Sequence, residues 1–281
     1  MKICLMLSLS IFYIFSLKAQ TADSLEKIAD KIVAEATKMY KSEMASWYAT
    51  DLLMGKYKDK TTQLGGYASY AENGKDKCIF YSKGENPKVI LTVSFKGVYA
   101  VEKAETNADE RAFTPLEKEY FNIRQAAALA VSSDTFFKAY KNTNFNLIPI
   151  IEGDSRKVYI LTGPQDNDLV LFGNDYELIF DKNNVLTSKI KLHNSLVTLD
   201  YTGEKTQVGA MHTHVPTKDE FITATDVCTL MLYGKTAKWQ THFVMSEKYV
   251  STWLSDGNKV TIVDKNSWEM SIDGKGRKKK K

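Results

Sequence analysis

The residues best suited to chemistry lie between His212 and Asp226. If Val208–His214 forms a β-strand, its alternation places the side chains of His212 and His214 on the same face. Two imidazoles on one face can chelate a metal ion, and a further ligand then has to come from another element. Asp226, at the start of the helix that follows, is the nearest suitable carboxylate, because the acidic residues of the intervening loop are expected to be solvated.

The same residues also have a purely structural interpretation. Thr223 and Asp226 have the spacing of a capping box, in which the Thr side chain caps the helix and the Asp carboxylate accepts a hydrogen bond from the backbone of the cap residue. Two histidines at the end of a strand can equally be solvated or hydrogen-bonded. Because capping and metal binding are compatible, the sequence leaves both interpretations open.

The other two histidines, His193 and His242, lie in the same part of the chain. His193 could orient a substrate or a group behind a ligand, and His242 is placed where a neighbouring strand could bring it near the site. A half-buried, hydrogen-bonded histidine is the more common fate of such a residue. Neither is therefore taken as a ligand.

The motif resembles the signature of the JAMM (MPN+) metallopeptidases, which is His-x-His-Pro, a short spacer and then Ser-x-x-Asp. Here His212-Thr213-His214 precedes a loop and Thr223-Ala224-Thr225-Asp226, over a resemblance that covers about residues 175–246. The predicted order is also similar, with strands that end in His-x-His and a helix whose first turn holds the acid. The resemblance implies that His212, His214 and Asp226 bind zinc.

The resemblance also implies catalytic roles. Thr223 stands where the family has a Ser that stabilises the oxyanion. Glu177, at the head of a predicted strand and 35 residues before His212, takes the place of the general base. Glu152 is the substitute base. An exposed strand carboxylate without a catalytic role is the alternative for Glu177.

The chain departs from the family pattern around these residues. Val215 replaces the Pro, which follows one place late as Pro216, and the spacing to Thr223 is one residue longer. Thr replaces Ser, and no conspicuous Glu motif marks the base. The last departure matters most, because a metal-binding triad can persist in a protein that has lost its base.

The predicted function is an exported zinc-dependent hydrolase that cleaves a peptide or isopeptide bond in a peptide or protein substrate. The alternative is a catalytically inactive exported binding or interaction protein of the same fold, with or without a structural metal. Nucleic-acid binding is not expected, because the net charge of +4 comes largely from the terminal run Gly274–Lys281 and not from a basic face within the fold. Membrane contact is expected only through that tail.

The N-terminus has the pattern of a signal peptide. Met1-Lys2 precedes the apolar run Ile3–Leu17, which is shorter than the roughly 20 residues of a membrane-spanning helix. We expect cleavage near Gln20 or Thr21 and a periplasmic, cell-surface or secreted product, with an uncleaved anchor as the alternative. The two cysteines that remain allow at most one disulfide.

The predicted fold class is α+β. An amphipathic helix from Ser24 to about Leu53 and a small antiparallel sheet come first, and the polar segment 102–111 is the best candidate for a linker. A helix capped by Thr114 and expected to reach about Tyr140 then precedes a mostly antiparallel sheet with flanking helices. The predicted regions are a signal peptide (1–20), the N-terminal helix and small sheet (21–110), a JAMM-like domain (111–270) and a basic disordered tail (271–281).

Overall fold

The computed structural model describes the backbone of residues 4–201, 209–214 and 220–273, and their side chains from residue 23 to residue 272. The predicted tail lies outside the described residues except for its helical residues 271–273. The fold is α+β, as predicted. The chain divides into two compact units, residues 1–36 with 203–281 and residues 37–202, so the predicted boundary at residue 110 falls inside the second unit.

The α-helices are α1 (Cys4–Gly55), α2 (Pro115–Ser133), α3 (Ala224–Tyr233) and α4 (Lys265–Asp273). The strands are β1 (Leu64–Glu72), β2 (Lys75–Ser82), β3 (Val89–Phe95), β4 (Glu105–Asn107), β5 (Thr143–Glu152), β6 (Ser155–Pro164), β7 (Leu169–Gly173), β8 (Tyr176–Phe180), β9 (Leu186–Lys191), β10 (Leu196–Asp200), β11 (Gly209–Thr213), β12 (Thr241–Met245), β13 (Tyr249–Leu254) and β14 (Lys259–Asp264).

Helix α1 is longer than the sequence pattern predicted. The predicted helix from Ser24 to about Leu53 lies within it, and the helical backbone continues back to Cys4 through most of the predicted signal segment. Among the described residues, no helix combines the length and the apolar character needed to cross a membrane. Cleavage of the signal segment stays a prediction.

The unit formed by residues 37–202 contains two antiparallel four-stranded sheets, β1-β2-β3-β4 and β5-β6-β8-β9, and the antiparallel pair β7-β10. The C-terminal part of α1 packs on the first sheet, where Ala49 and Leu53 share a core with Phe80. Helix α2 covers the second sheet through Ile123 and Ala127. The apolar face of each helix thus packs against one face of a sheet.

The segment 102–111 is not a linker. Its residues 105–107 form β4, which extends the first sheet by pairing with β3. Arg111 then bonds to Val89 through both backbone groups, at 2.9 and 3.0 Å, and its side chain forms an ion pair with Glu117. The polar composition of the segment reflects an exposed sheet edge, where charged residues are common.

Helix α2 begins as predicted and ends earlier. The Glu117 N–H donates to Thr114 Oγ1 at 3.2 Å and the Thr114 N–H donates to Glu117 Oε2 at 2.8 Å, which is a complete capping box. The helix was expected to reach Tyr140 but stops at Ser133. Asp134 takes an extended conformation and accepts a hydrogen bond from the Phe136 N–H at 2.9 Å, a local turn that competes with the helix.

The other unit is organised around the sheet β11-β12-β13-β14. Strand β11 runs parallel to β12, and the remaining pairs are antiparallel. Helix α3 makes the crossover that a parallel pair requires. It ends on Gly234, where a Cβ atom would come within 2.8 Å of the Trp253 ring, so the end of the helix lies directly against the sheet.

Candidate metal centre

His212 and His214 are positioned by the parallel pairing of β11 with β12. His212 lies opposite Val244, and the His214 N–H donates to Met245 O at 2.9 Å, so the extended geometry continues one residue beyond β11. The two imidazoles therefore lie on the same face, as the alternation predicted. Both residues are less than 10% exposed, and their Nε2 atoms are 3.1 Å apart.

Asp226 is held in the first turn of α3 by the capping box that its spacing to Thr223 predicted. The Thr223 N–H donates to Asp226 Oδ2 at 2.9 Å, and the Asp226 N–H donates to Thr223 Oγ1 at 3.1 Å. The Thr223 hydroxyl also donates to Asp226 Oδ2 at 2.8 Å. The N-terminus of a helix favours a negative charge, so the carboxylate is buried where the backbone stabilises it.

The carboxylate of Asp226 faces both imidazoles. Its Oδ1 lies 3.6 Å from His212 Nε2, and its Oδ2 lies 3.4 Å from His214 Nε2. The structure thus joins the two interpretations of the sequence, since the same carboxylate caps α3 and lies beside the histidines. The side chains of His212, His214 and Asp226 therefore offer metal-ligand atoms close to one another.

The far side of each imidazole has its own partner. His214 Nδ1 lies 3.0 Å from Phe221 O, and because a carbonyl can only accept, this nitrogen carries the hydrogen. His212 Nδ1 lies 2.8 Å from His242 Nε2. Burial, together with the neighbouring His212, lowers the pKa of His242 to about 3, so this histidine is neutral at neutral pH.

The distances between the side chains are compatible with one metal ion bound by all three. Atoms bound tetrahedrally to zinc at 2.0–2.1 Å lie about 3.4 Å from one another. Here the two Nε2 atoms are 3.1 Å apart, and they lie 3.6 and 3.4 Å from the two different oxygens of the Asp226 carboxylate. A set of two imidazoles and one carboxylate is also the composition of known open zinc sites. The donor atoms present are therefore of a kind that can hold a metal ion.

The predicted bases lie in the other compact unit, residues 37–202. Glu177 is in β8 between Tyr159 and Ile190, and its carboxylate lies 3.0 Å from Lys157 Nζ. Glu152, the substitute, ends β5 and lies 2.5 Å from Lys38 Nζ. Their roles in proton transfer stay predictions.

The remaining predicted polar residues are His193, Glu220 and the two cysteines. His193 Nδ1 lies 3.5 Å from Asp175 Oδ2 in the unit of residues 37–202. Glu220, in the loop before α3, is exposed and pairs with Lys248 at 2.5 Å, as its predicted solvated position suggests. The side chains of Cys78 and Cys228 are both buried.

Two contributors to the site have no signal in the sequence. Phe221 acts through its backbone carbonyl, which every residue type possesses. Ser251 accepts a hydrogen bond from the Ile222 N–H at 3.1 Å and so fixes the segment that leads into α3. A buried small polar residue in a strand resembles many others that only satisfy a neighbour.

No protein-family model, no curated protein sequence and no solved structure matches the chain.

Proposed function

We propose that the chain is an exported zinc-dependent hydrolase that cleaves a peptide or isopeptide bond, with His212, His214 and Asp226 as the zinc ligands. The observation that carries this proposal is that the two imidazole Nε2 atoms are 3.1 Å apart and that each lies within 3.6 Å of one oxygen of the Asp226 carboxylate. The resemblance of the motif to the JAMM signature supplies the reaction class.

The surrounding hydrogen bonds support ligation through Nε2. The His214 Nδ1–H donates to Phe221 O, which leaves the lone pair of the neutral ring on Nε2. His212 reaches the same state when its Nδ1–H donates to the neutral His242. Metal-binding histidines are ordinarily oriented by such a partner on their other nitrogen.

Without an ion, the same cluster can be held together by a proton between His212 Nε2 and His214 Nε2, which are 3.1 Å apart. This hydrogen-bonded cluster is the alternative to a metal centre. The two differ in a measurable way, since only a metal centre retains stoichiometric zinc. The metal centre is favoured because the buried Asp226 carboxylate lies beside both imidazoles and adds a third, negatively charged ligand.

The reaction class would follow from a zinc ion with three protein ligands. Zinc held by three protein ligands supplies a water of lowered pKa and polarises a substrate carbonyl. In the proposed enzyme Glu177 would be the general base, and Thr223 Oγ1 would donate to the oxyanion. The Thr223 hydrogen is directed at Asp226 Oδ2 in this structure, so it has to turn from the carboxylate towards the substrate.

A specific observation favours the inactive alternative. The Glu177 carboxylate lies 3.0 Å from Lys157 Nζ and is largely buried. It has to give up this ion pair before it can accept a proton. An exported binding protein with a structural metal would keep the ligands and need no free base.

The deciding experiment measures zinc and hydrolysis separately. The full chain, purified without chelators, is expected to contain about one zinc per molecule by mass spectrometry, as a structural or catalytic site would. His212→Ala should lose the metal, and Glu177→Gln should retain it while losing cleavage of a fluorescence-quenched peptide library.

The metal centre would be refuted if the wild-type protein lacked stoichiometric zinc and the His212→Ala variant had the same zinc content. Zinc without cleavage of either the peptide library or isopeptide-linked peptides would favour the binding protein. Cleavage that survives Glu177→Gln would remove Glu177 as the base and leave the metal centre intact.

A further inference from the structure

A groove lies between α1 and β14 in the unit formed by residues 1–36 and 203–281. It has a volume of about 1090 Å³ and is lined on the helix side by the segment from Leu25 to Ala34. Ala29 and Val33 contribute small apolar surfaces from the helix, and Val260 and Ile262 contribute them from the strand. The groove is separate from the residues of the metal centre.

One wall of the groove is the edge of a sheet. Among the described strands, β14 pairs only with β13. The Lys265 N–H donates to Lys248 O at 2.8 Å, and antiparallel pairs alternate between bonded and non-bonded positions. The backbone groups of Val260, Ile262 and Asp264 therefore turn away from β13.

The opposite side of β13 confirms this alternation. The Ser246 N–H donates to Tyr249 O at 3.0 Å, so Tyr249 and every second residue after it pair with β12. Their partners in β14 are Asp264, Ile262 and Val260. These three residues also line the groove. Asp264 caps α4 and its carbonyl accepts the first hydrogen bond of that helix, so the outward-facing row consists of its N–H and of the N–H and C=O groups of Val260 and Ile262.

The volume of the groove is sufficient for one further strand. A six-residue strand, the length of β14, is about 20 Å long, lies about 4.8 Å from its neighbour and fills a layer about 10 Å thick. Their product is about 960 Å³. This value is close to the 1090 Å³ of the groove.

The charged residues that line the groove indicate which side chains a bound peptide would carry. Glu26 and Asp30 line the groove from α1, and Asp264 lines it from the end of β14. Lys259 is the basic residue of the lining. The excess of carboxylates favours a peptide with basic residues, and the apolar positions favour small or β-branched side chains between them.

We propose that this groove binds an extended segment of a partner protein, with alternating apolar and basic residues, as a fifth strand beside β14. Main-chain hydrogen bonds to the edge would provide affinity, and the alternating side chains would provide specificity. The new strand would lie four strand spacings, about 19 Å, from β11. The groove is thus a docking surface, and it does not depend on the proposed hydrolase activity.

The test uses the synthetic peptide acetyl-Val-Lys-Val-Lys-Val-Lys-Val-Lys-amide, labelled with fluorescein, and the full chain. Two further peptides carry N-methyl groups on three valines or on three lysines. The alternation of side chains determines which residues turn their N–H groups towards β14, so one methylated peptide should bind about a hundredfold more weakly and the other should bind like the parent. Fluorescence anisotropy measures all three.

Protein variants supply a second, independent readout. Ile262→Pro removes an outward N–H without breaking the ladder to β13, and should weaken binding of the parent peptide at least tenfold. Asp30→Lys changes the charge inside the groove and should also weaken binding. Asp23→Lys makes the same change on the same helix, where the residue pairs with Lys27, and should leave binding unchanged.

Several results would overturn the proposal. One is failure of the parent peptide to bind in the assay, and another is equal affinity of the two methylated peptides. Equal losses of affinity in Asp30→Lys and Asp23→Lys would also contradict the proposal. A concentration-dependent dimer that the peptide cannot dissociate, and that Ile262→Pro abolishes, would show that a second copy occupies the edge instead.

Discussion

Asp226 is the residue at which capping and metal binding can be separated. Its Oδ2 accepts from the Thr223 N–H and Oγ1 at 2.9 and 2.8 Å, while its two oxygens lie 3.4 and 3.6 Å from the histidine nitrogens. Asp226→Asn retains one oxygen for the cap and removes the charge that a cation requires. Thr223→Ala removes the capping hydroxyl and leaves the carboxylate.

The two variants should therefore have opposite signatures in the free energy of unfolding. Thr223→Ala should cost about 1 kcal/mol with or without zinc, the usual effect of a lost cap. Zinc at a thousand times its dissociation constant should stabilise the wild type by about 4 kcal/mol. Asp226→Asn should lose most of that increment, because the set of three ligands loses its only charge.

Urea unfolding followed by far-ultraviolet circular dichroism, in EDTA and in excess zinc, measures both effects. Asp256→Asn, in the exposed turn before β14, is the matched control and should retain the full zinc increment. If Asp226→Asn keeps the increment of the wild type, Asp226 acts as a cap alone and is not a zinc ligand.

Two further predictions test the groups behind the site and in the other unit. His242→Phe removes the partner of His212 Nδ1, 2.8 Å away, and should weaken zinc binding about 10–100-fold in a competition with a chelating dye. Unchanged affinity would show that His242 does not orient the ligand. In the second unit, burial raises the pKa of Glu43 to about 7, against the opposing effect of Arg124. Because this folded-state pKa lies above the unfolded value, the contribution of Glu43 to stability is greatest below pH 4.5 and is lost as the pH rises through 7. Between pH 5 and 8 the wild type should lose about 2–3 kcal/mol relative to Glu43→Gln in urea unfolding. Parallel pH profiles for the two proteins would contradict the assignment, and the exposed Glu85→Gln serves as the control.

The starts of α2 and α3 were predictable from the sequence because capping is a local interaction. Thr114 with Glu117, and Thr223 with Asp226, need only three residues of separation and a favourable backbone turn. The end of α2 was not predictable in the same way. The run up to Tyr140 is compatible with helix, but the turn made by Asp134 prevails.

The segment 102–111 shows a second limit of sequence reasoning. Its polar and charged residues are typical of a linker, yet residues 105–107 pair with β3 as an edge strand. Edge strands and linkers are both exposed and share a composition. Only the availability of an unpaired strand in the folded sheet distinguishes them.

The sequence by itself determined that His212 and His214 share one face, since strand alternation depends only on neighbouring residues. It also determined that Asp226 caps the helix that follows. Only the tertiary structure decided that the carboxylate lies within 3.6 Å of both imidazoles and that His242 lies behind His212. Those contacts depend on the parallel register of β11 with β12 and on the packing of α3 against the sheet, and no local pattern specifies either.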